Sequence, residues 1–109
     1  MIDINKKDEL GLNSFWIAAK YGHGDIMRVL AEHGIEIYNT DSKGNNVLHL
    51  SARIEARFNI LEMLVKSGYD LNLTNSTGDT AAHIASQKGN LPHLSALVDH
   101  GADINVLNN

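Results

Sequence analysis

Six histidines are the residues of this chain best suited to chemistry: His23, His33, His49, His83, His93 and His100. An imidazole can ligate a divalent metal or move a proton near neutral pH. Their spacing supports neither use, because none stands at a metal-ligand interval such as the His-Glu-x-x-His of a helical zinc site. The chain has no cysteine, which excludes disulfides and thiolate metal sites. His33 and His100 each precede a glycine at equivalent places, where a helix end would favour a cation. Capping and hydrogen bonding account for them. Gly22-His23-Gly24 lacks the spacing and trailing lysine of a phosphate loop. No acid–base pair or nucleophile stands out, and Ser51, Ser86 and Ser95 read as small packing or exposed helix residues. The expectation is a chain without catalysis, metal or cofactor.

Composition narrows the class further. At 109 residues the chain is long enough for one small domain, and its 43% hydrophobic content is ordinary for a soluble protein. No apolar run approaches the roughly 20 residues of a membrane helix, so no membrane insertion is expected. No apolar stretch follows the basic pair Lys6-Lys7, so the N-terminal residues do not read as a signal peptide. A net charge of −4 argues against nucleic acid as the main partner, since phosphate binding needs a basic footprint. The missing cysteines fit a cytoplasmic location.

The elements that position these residues come from a repeat. Gly34-Ile35-Glu36-Ile37, Gly68-Tyr69-Asp70-Leu71-Asn72 and Gly101-Ala102-Asp103-Ile104-Asn105 are versions of one phrase, whose tail already stands as Asp3-Ile4-Asn5. The acidic residue falls at 3, 36, 70 and 103, spacings of 33, 34 and 33. A period near 33 means stacked units rather than one globular core. Each period opens with a glycine-bearing turn: Lys6 to Asn13, Thr40 to Asn46, Thr74 to Asp79. A short Ala-rich apolar segment follows: Ser14 to Ala19, Val47 to Ala52, Ala81 to Ser86. A Ser, Asn or Thr just ahead of each is a candidate N-cap. After a polar break, a second amphipathic stretch runs Ile26 to His33, Ile60 to Ser67 and Leu94 to His100. Its apolar residues fall at helical spacing, and Gly34, Gly68 and Gly101 stop it. One such unit cannot bury its apolar face, and roughly three are needed for stability.

This pattern resembles the ankyrin repeat. The family signature of Gly, then Thr-Pro-Leu-His-x-Ala-Ala, is matched loosely by Gly78-Asp79-Thr80-Ala81-Ala82-His83-Ile84-Ala85. It is matched also by Gly44-Asn45-Asn46-Val47-Leu48-His49-Leu50-Ser51-Ala52 and by Gly11-Leu12-Asn13-Ser14-Phe15-Trp16-Ile17-Ala18-Ala19. The resemblance covers nearly the whole chain. It implies one all-α ankyrin-repeat solenoid domain, residues 1–109, with units at about 8–40, 41–74 and 75–107. These would be helix-turn-helix units joined by β-hairpin-like turns. The family's proline is absent from all three units, which removes a preset φ at the first helix starts. By resemblance, His49 and His83 tie each hairpin to its own repeat. Trp16 stands where the first unit should have its histidine and donates only one bond, so that unit must hold its turn differently. An extra residue near Glu55 should bulge the turn between the second unit's helices. Pro92 falls near a helix start, where proline is tolerated. His93 takes a place usually apolar, so Leu94 should carry that packing. Leu64 to Asn72 and Leu97 to Asn105 fit a pattern that in ankyrin repeats can be hydroxylated at Asn, but support of the turn by the side-chain amide is the preferred reading.

The resemblance also implies a function, a non-catalytic scaffold or adaptor that binds a protein through a concave groove of hairpin tips and first helices. The expected contact residues are Leu10, Leu12, Lys20, Tyr21, Lys43, Asn45, Arg53, Ile54, Asp79, Gln87 and Lys88. Tyr21, Arg53 and Ile54 lead, since large side chains that cover area and add hydrogen bonds make hot spots. Lys20, Arg53 and Lys88 are expected on one line, with Lys43 nearby, which points to an acidic partner segment. The alternative is a regulatory or targeting segment of a larger enzyme or channel. The repeat enters and leaves in phase, without polar end units, which reads as part of a longer array. A complete short protein with partly exposed ends is the competing reading.

Overall fold

Three short helices begin where a polar side chain can cap them. The computed structural model describes residues 6–54 and 58–103. In it α1 spans Ser14–Lys20, α2 Gly24–Glu32, α3 Val47–Arg53, α4 Phe58–Lys66, α5 Ala81–Gln87 and α6 Leu91–Asp99. Asn13 caps α1 by accepting the Trp16 N–H at 3.1 Å. Asn46 caps α3 by accepting from Leu48 and His49 at 2.9 and 3.0 Å, and Thr80 caps α5 by accepting from His83 at 3.3 Å. These bonds satisfy donors that a helix start leaves open.

The second helices begin earlier than the apolar pattern suggests: α2, α4 and α6 start at Gly24, Phe58 and Leu91. Their first turns carry mostly polar or non-periodic residues, which leave no hydrophobic signal. Pro92 sits in the first turn of α6, where its missing N–H costs nothing. Each of these helices ends at a glycine of positive φ: Gly34, Gly68 and Gly101.

Helices α1, α3 and α5 stack side by side in one layer, and α2, α4 and α6 in a second, each pair packed as a hairpin. The stack measures 44 × 25 × 21 Å. Its core runs between the layers through Phe15, Met27, Leu48, Ile60, Leu61, Leu64 and Leu97. Burying a side chain of this size stabilises by about 1.5–3 kcal/mol. His93 fills a fully buried place itself, and Leu94 is only half-buried, contrary to the expected division of labour. Among the described residues the connectors contain no strand; they are tight turns. The first helix starts precede the second by 10, 11 and 10 residues (14 to 24, 47 to 58, 81 to 91), so the extra residue lies between α3 and α4. The expected bulge at Glu55 lies outside the described residues.

Candidate interaction surface

Each turn ahead of a first helix is closed by one side chain. Asp8 Oδ1 accepts the N–H groups of Leu10 and Leu12, both at 2.9 Å. Asp41 Oδ1 does the same for Lys43 and Asn45 at 2.9 Å, and Asn75 Oδ1 for Thr77 and Asp79 at 3.0 Å. This is the local Asx geometry that makes Asp and Asn turn formers. Backbone bonds finish each tip, as in Asp41 N–H to Asn45 O and Gly44 N–H to Asp41 O, both 3.0 Å. The tips are thus rigid platforms that display Leu10, Lys43 and Thr77 at equivalent positions.

The first helices hold the following tip rather than only their own. Trp16 Nε1–H donates to the Asn45 carbonyl at 3.1 Å. His49 Nε2 stands 2.9 Å from the Asp79 carbonyl. His49 Nδ1 accepts the Asn46 N–H at 3.1 Å, so the ring proton sits on Nε2 and donates. His49 therefore ties both its own cap and the next unit, where the family resemblance had suggested its own repeat alone. Burial pushes the His49 pKa below its ordinary 6.5, against carbonyl and carboxylate neighbours that push it up. Trp16 reproduces the bond to the next unit but not the bond to the cap. Asn39 supplies the missing part: its Oδ1 accepts the Asn13 N–H at 2.8 Å and its Nδ2 donates to the Gly11 carbonyl at 3.0 Å.

The second and third tips and the ends of α3 and α5 enclose a groove of about 430 Å³. Lys43, Asn45, Arg53, Asp79, Gln87 and Lys88 line it together, with Ile84 on its apolar side. Lys43, Arg53, Gln87 and Lys88 are exposed. Leu10 (71% exposed) and Tyr21 (61%) stand out from the first unit, and Ile54 is half-buried. Leu12 is only 5% exposed and packs in the core, so it is no contact residue. Asn45 is 3% exposed, with its amide bonded to Asp41 and Asn75, and acts beneath the surface as a brace. The expected line of cations also shifts. Lys20 and Arg53 end α1 and α3, but Gln87 ends α5, and Lys88 is the next residue, equivalent to Tyr21 and Ile54.

A sequence model of the family described as ankyrin repeats (3 copies) matches residues 1–75 and 58–108. The chain belongs to the ankyrin repeat family. It is 32% identical over 97 residues to the ankyrin repeat protein FPV031 of Fowlpox virus (strain NVSL), covering 85% of this chain and 28% of that protein. It is 28% identical over 107 residues to the B-cell lymphoma 3 protein homolog of Mus musculus, covering 98% and 24%. With ankyrin repeat protein nuc-2 of Neurospora crassa it shares 34% over 105 residues, covering 95% and 10%. The chain thus spans about a quarter or less of most of these relatives' length.

Within this ankyrin stack, the Asn72 side chain is engaged structurally: its Oδ1 accepts the Asp103 N–H at 2.8 Å. Asn105, the second hydroxylation candidate, lies outside the described residues. His33 Nδ1 sits 2.8 Å from the Val29 carbonyl at the end of α2, the capping role expected of it. Two tyrosines escaped the sequence reading. Tyr38 and Tyr69 stack with ring centres 4.4 Å apart, Tyr69 donates to the Ile37 carbonyl at 3.0 Å, and Tyr38 accepts the Asp70 N–H at 3.1 Å. Burial, then the neighbouring Tyr38, pushes the Tyr69 pKa up. Their separation of 31 residues falls off the period, so no alignment of units pairs them.

Proposed function

We propose that this chain is a non-catalytic protein-interaction module, a scaffold or adaptor that takes its partner on the concave face. The observation that carries the reading is the groove that brings Lys43, Arg53, Gln87 and Lys88 together from two tips and two helices. A larger groove of about 650 Å³ lies on the other face, between α2 and α4. There Asp25, Glu32 and Glu62 face Arg28 and Lys66, so charges of both signs are mixed. The concave groove carries Lys43, Arg53 and Lys88 against Asp79 alone, on a chain of net −4. That excess supports a protein partner with an acidic segment rather than nucleic acid. The proposed setting is cytoplasmic, supported by the absence of cysteine. Among the described residues no helix is long and apolar enough to cross a membrane.

The reading is tested by affinity capture from the native source, with the wild-type chain and a Tyr21→Ala/Arg53→Ala/Ile54→Ala variant side by side. A partner retained by the first and lost by the second supports the groove, and equal recovery removes it. A second reading, a regulatory or targeting segment of a larger enzyme or channel, is supported by the small share of its relatives that this chain spans. Coding sequence on either side of the chain tests it: a catalytic or membrane-spanning segment there supports it, and further repeats alone argue against it.

A further inference from the structure

The two ends of the stack complement each other in the pattern that joins its units inside. Each tip closes on a backbone carbonyl that accepts a turn N–H: Leu12 O from Asp8 at 2.9 Å, Asn45 O from Asp41 and Asp79 O from Asn75, both at 3.0 Å. A ring of the preceding unit adds a second bond to two of these carbonyls, Trp16 to Asn45 O and His49 to Asp79 O. Among the described residues no ring N–H reaches the Leu12 carbonyl. The ring series has a third member, His83, whose Nδ1 accepts the Thr80 N–H at 3.0 Å. That leaves the ring proton on Nε2, and among the described residues no carbonyl takes it. The donor and the acceptor of one more junction therefore stand at opposite ends of the molecule.

The apolar side chains repeat the arrangement. Ile26, eight residues before the glycine that stops α2, is 51% exposed, whereas Ile60 and His93 at the same place in the next units are fully buried. Leu30 is half-buried where Leu64 and Leu97 are buried. The other end is open on α6. Leu94 is half-buried where Met27 and Leu61 are buried, and Val98 is exposed where Ala31 and Val65 are half-buried. In the first-helix layer the ends carry Ser14 and Ser86, which are exposed, small and uncharged, so neither obstructs a neighbour. Single apolar residues on a surface mean little, but these are the ones whose equivalents the inner junctions bury.

We infer that a second copy of this chain stacks on the first, head to tail, in the register of the internal junctions. Ile26 and Leu30 of one copy pack against Leu94 and Val98 of the other, and His83 Nε2–H of the second donates to the Leu12 carbonyl of the first. A second copy is the occupant because each face finds its missing partner atoms on the opposite face of the same chain. The contact joins unlike surfaces, so copies add one after another rather than closing as a two-fold dimer. It uses the ends of the stack and leaves the concave groove of every copy open, so it is independent of the concave-face reading.

The test is analytical ultracentrifugation of the whole chain at physiological salt, from about 10 μM to 1 mM. The weight-average mass should climb with concentration and pass that of a dimer. Ile26→Glu or Val98→Glu alone should weaken the association by at least about tenfold, since each puts a charge into the contact. Both positions are exposed, so each variant should keep the wild-type circular dichroism at low concentration. Mixing the two variants leaves one good contact, between the first-unit face of the Val98→Glu chain and the third-unit face of the Ile26→Glu chain. The expected product is a mixed dimer that grows no further. Lys66→Gln, in the middle unit, changes the net charge by the same amount and should leave the association within about twofold. The inference is overturned if the wild-type chain stays monomeric throughout, if Lys66→Gln loses as much as the end variants, or if the mixed variants stay monomeric. A dimer that either end variant alone leaves intact shows pairing of like faces and overturns it as well.

Discussion

Trp16 and His49 occupy the same place in successive units and solve one problem with different atoms. Each donates a ring N–H to the carbonyl that closes the next tip, Asn45 or Asp79. Trp16→Phe keeps most of the ring and deletes only the donor. The expected loss is about 1 kcal/mol, read as a fall of several degrees in the thermal midpoint. His49 adds a pH dependence. Unfolded, it titrates near 6.5; folded, burial and an Nδ1 that accepts a backbone N–H resist the proton. Below 6.5 the unfolded chain therefore binds more protons than the folded one, so stability falls as pH drops and levels off above that value. Thermal melts between pH 7.5 and 5.5 should show this slope, and His49→Gln should be less stable at neutral pH but flatter across the window. Glycines separate as sharply. Gly44 has φ +76, and a Cβ there would meet Ser76 N at 2.9 Å, whereas Gly34, at φ +86, has open space. Gly34→Ala should cost about 1–2 kcal/mol for its backbone alone, and Gly44→Ala clearly more, as measured by urea denaturation.

At the scale of elements, the first helices were legible because capping residue, apolar run and length agree in each period. The glycine stops of the second helices were legible for the same reason, while their starts were not, since the opening residues are polar, as in Gly24-Asp25, or off the buried face, as in the exposed Leu91. The turn chemistry is written in the sequence as Asp8, Asp41 and Asn75, each three residues before a glycine. Asn39 could not be read from the pattern. It serves only the first unit, where Trp16 leaves the Asn13 N–H unclaimed, and so has no periodic counterpart. Asn39→Ala orphans that buried N–H and the bond to Gly11 O together. A loss of about 1–3 kcal/mol is expected, against little change for the exposed neighbour Thr40→Ala, both read from thermal melts. The candidate surface was half legible. Repeat phase named the groove-lining cations, but it also placed Leu12 on the surface, because alternation at a tip does not reveal which side faces the core.

Across the whole molecule, stability is a sum over neighbours. The α3–α4 pair has a partner on each side, and Ile60, Leu61 and Leu64 are all buried there. Leu64→Ala should cost about 2–5 kcal/mol, a large part of the 5–15 kcal/mol typical of a domain, and should shift the denaturation of the entire stack. Val98→Ala, at an exposed place on α6, should move the midpoint within about 0.5 kcal/mol. The tips are joined unequally. The Ser76 N–H donates to the Lys43 carbonyl at 2.9 Å and Asn75 Nδ2 to Asn45 Oδ1 at 2.8 Å, locking the second and third tips together. The first tip is tied to the second unit differently, through Asn39, whose Nδ2 donates to the Gly11 carbonyl at 3.0 Å. The row of tips is therefore linked through backbone at one junction and through a single side chain at the other. Removing the Asn39 amide uncouples the first tip alone, whereas the second and third tips stay clasped to each other.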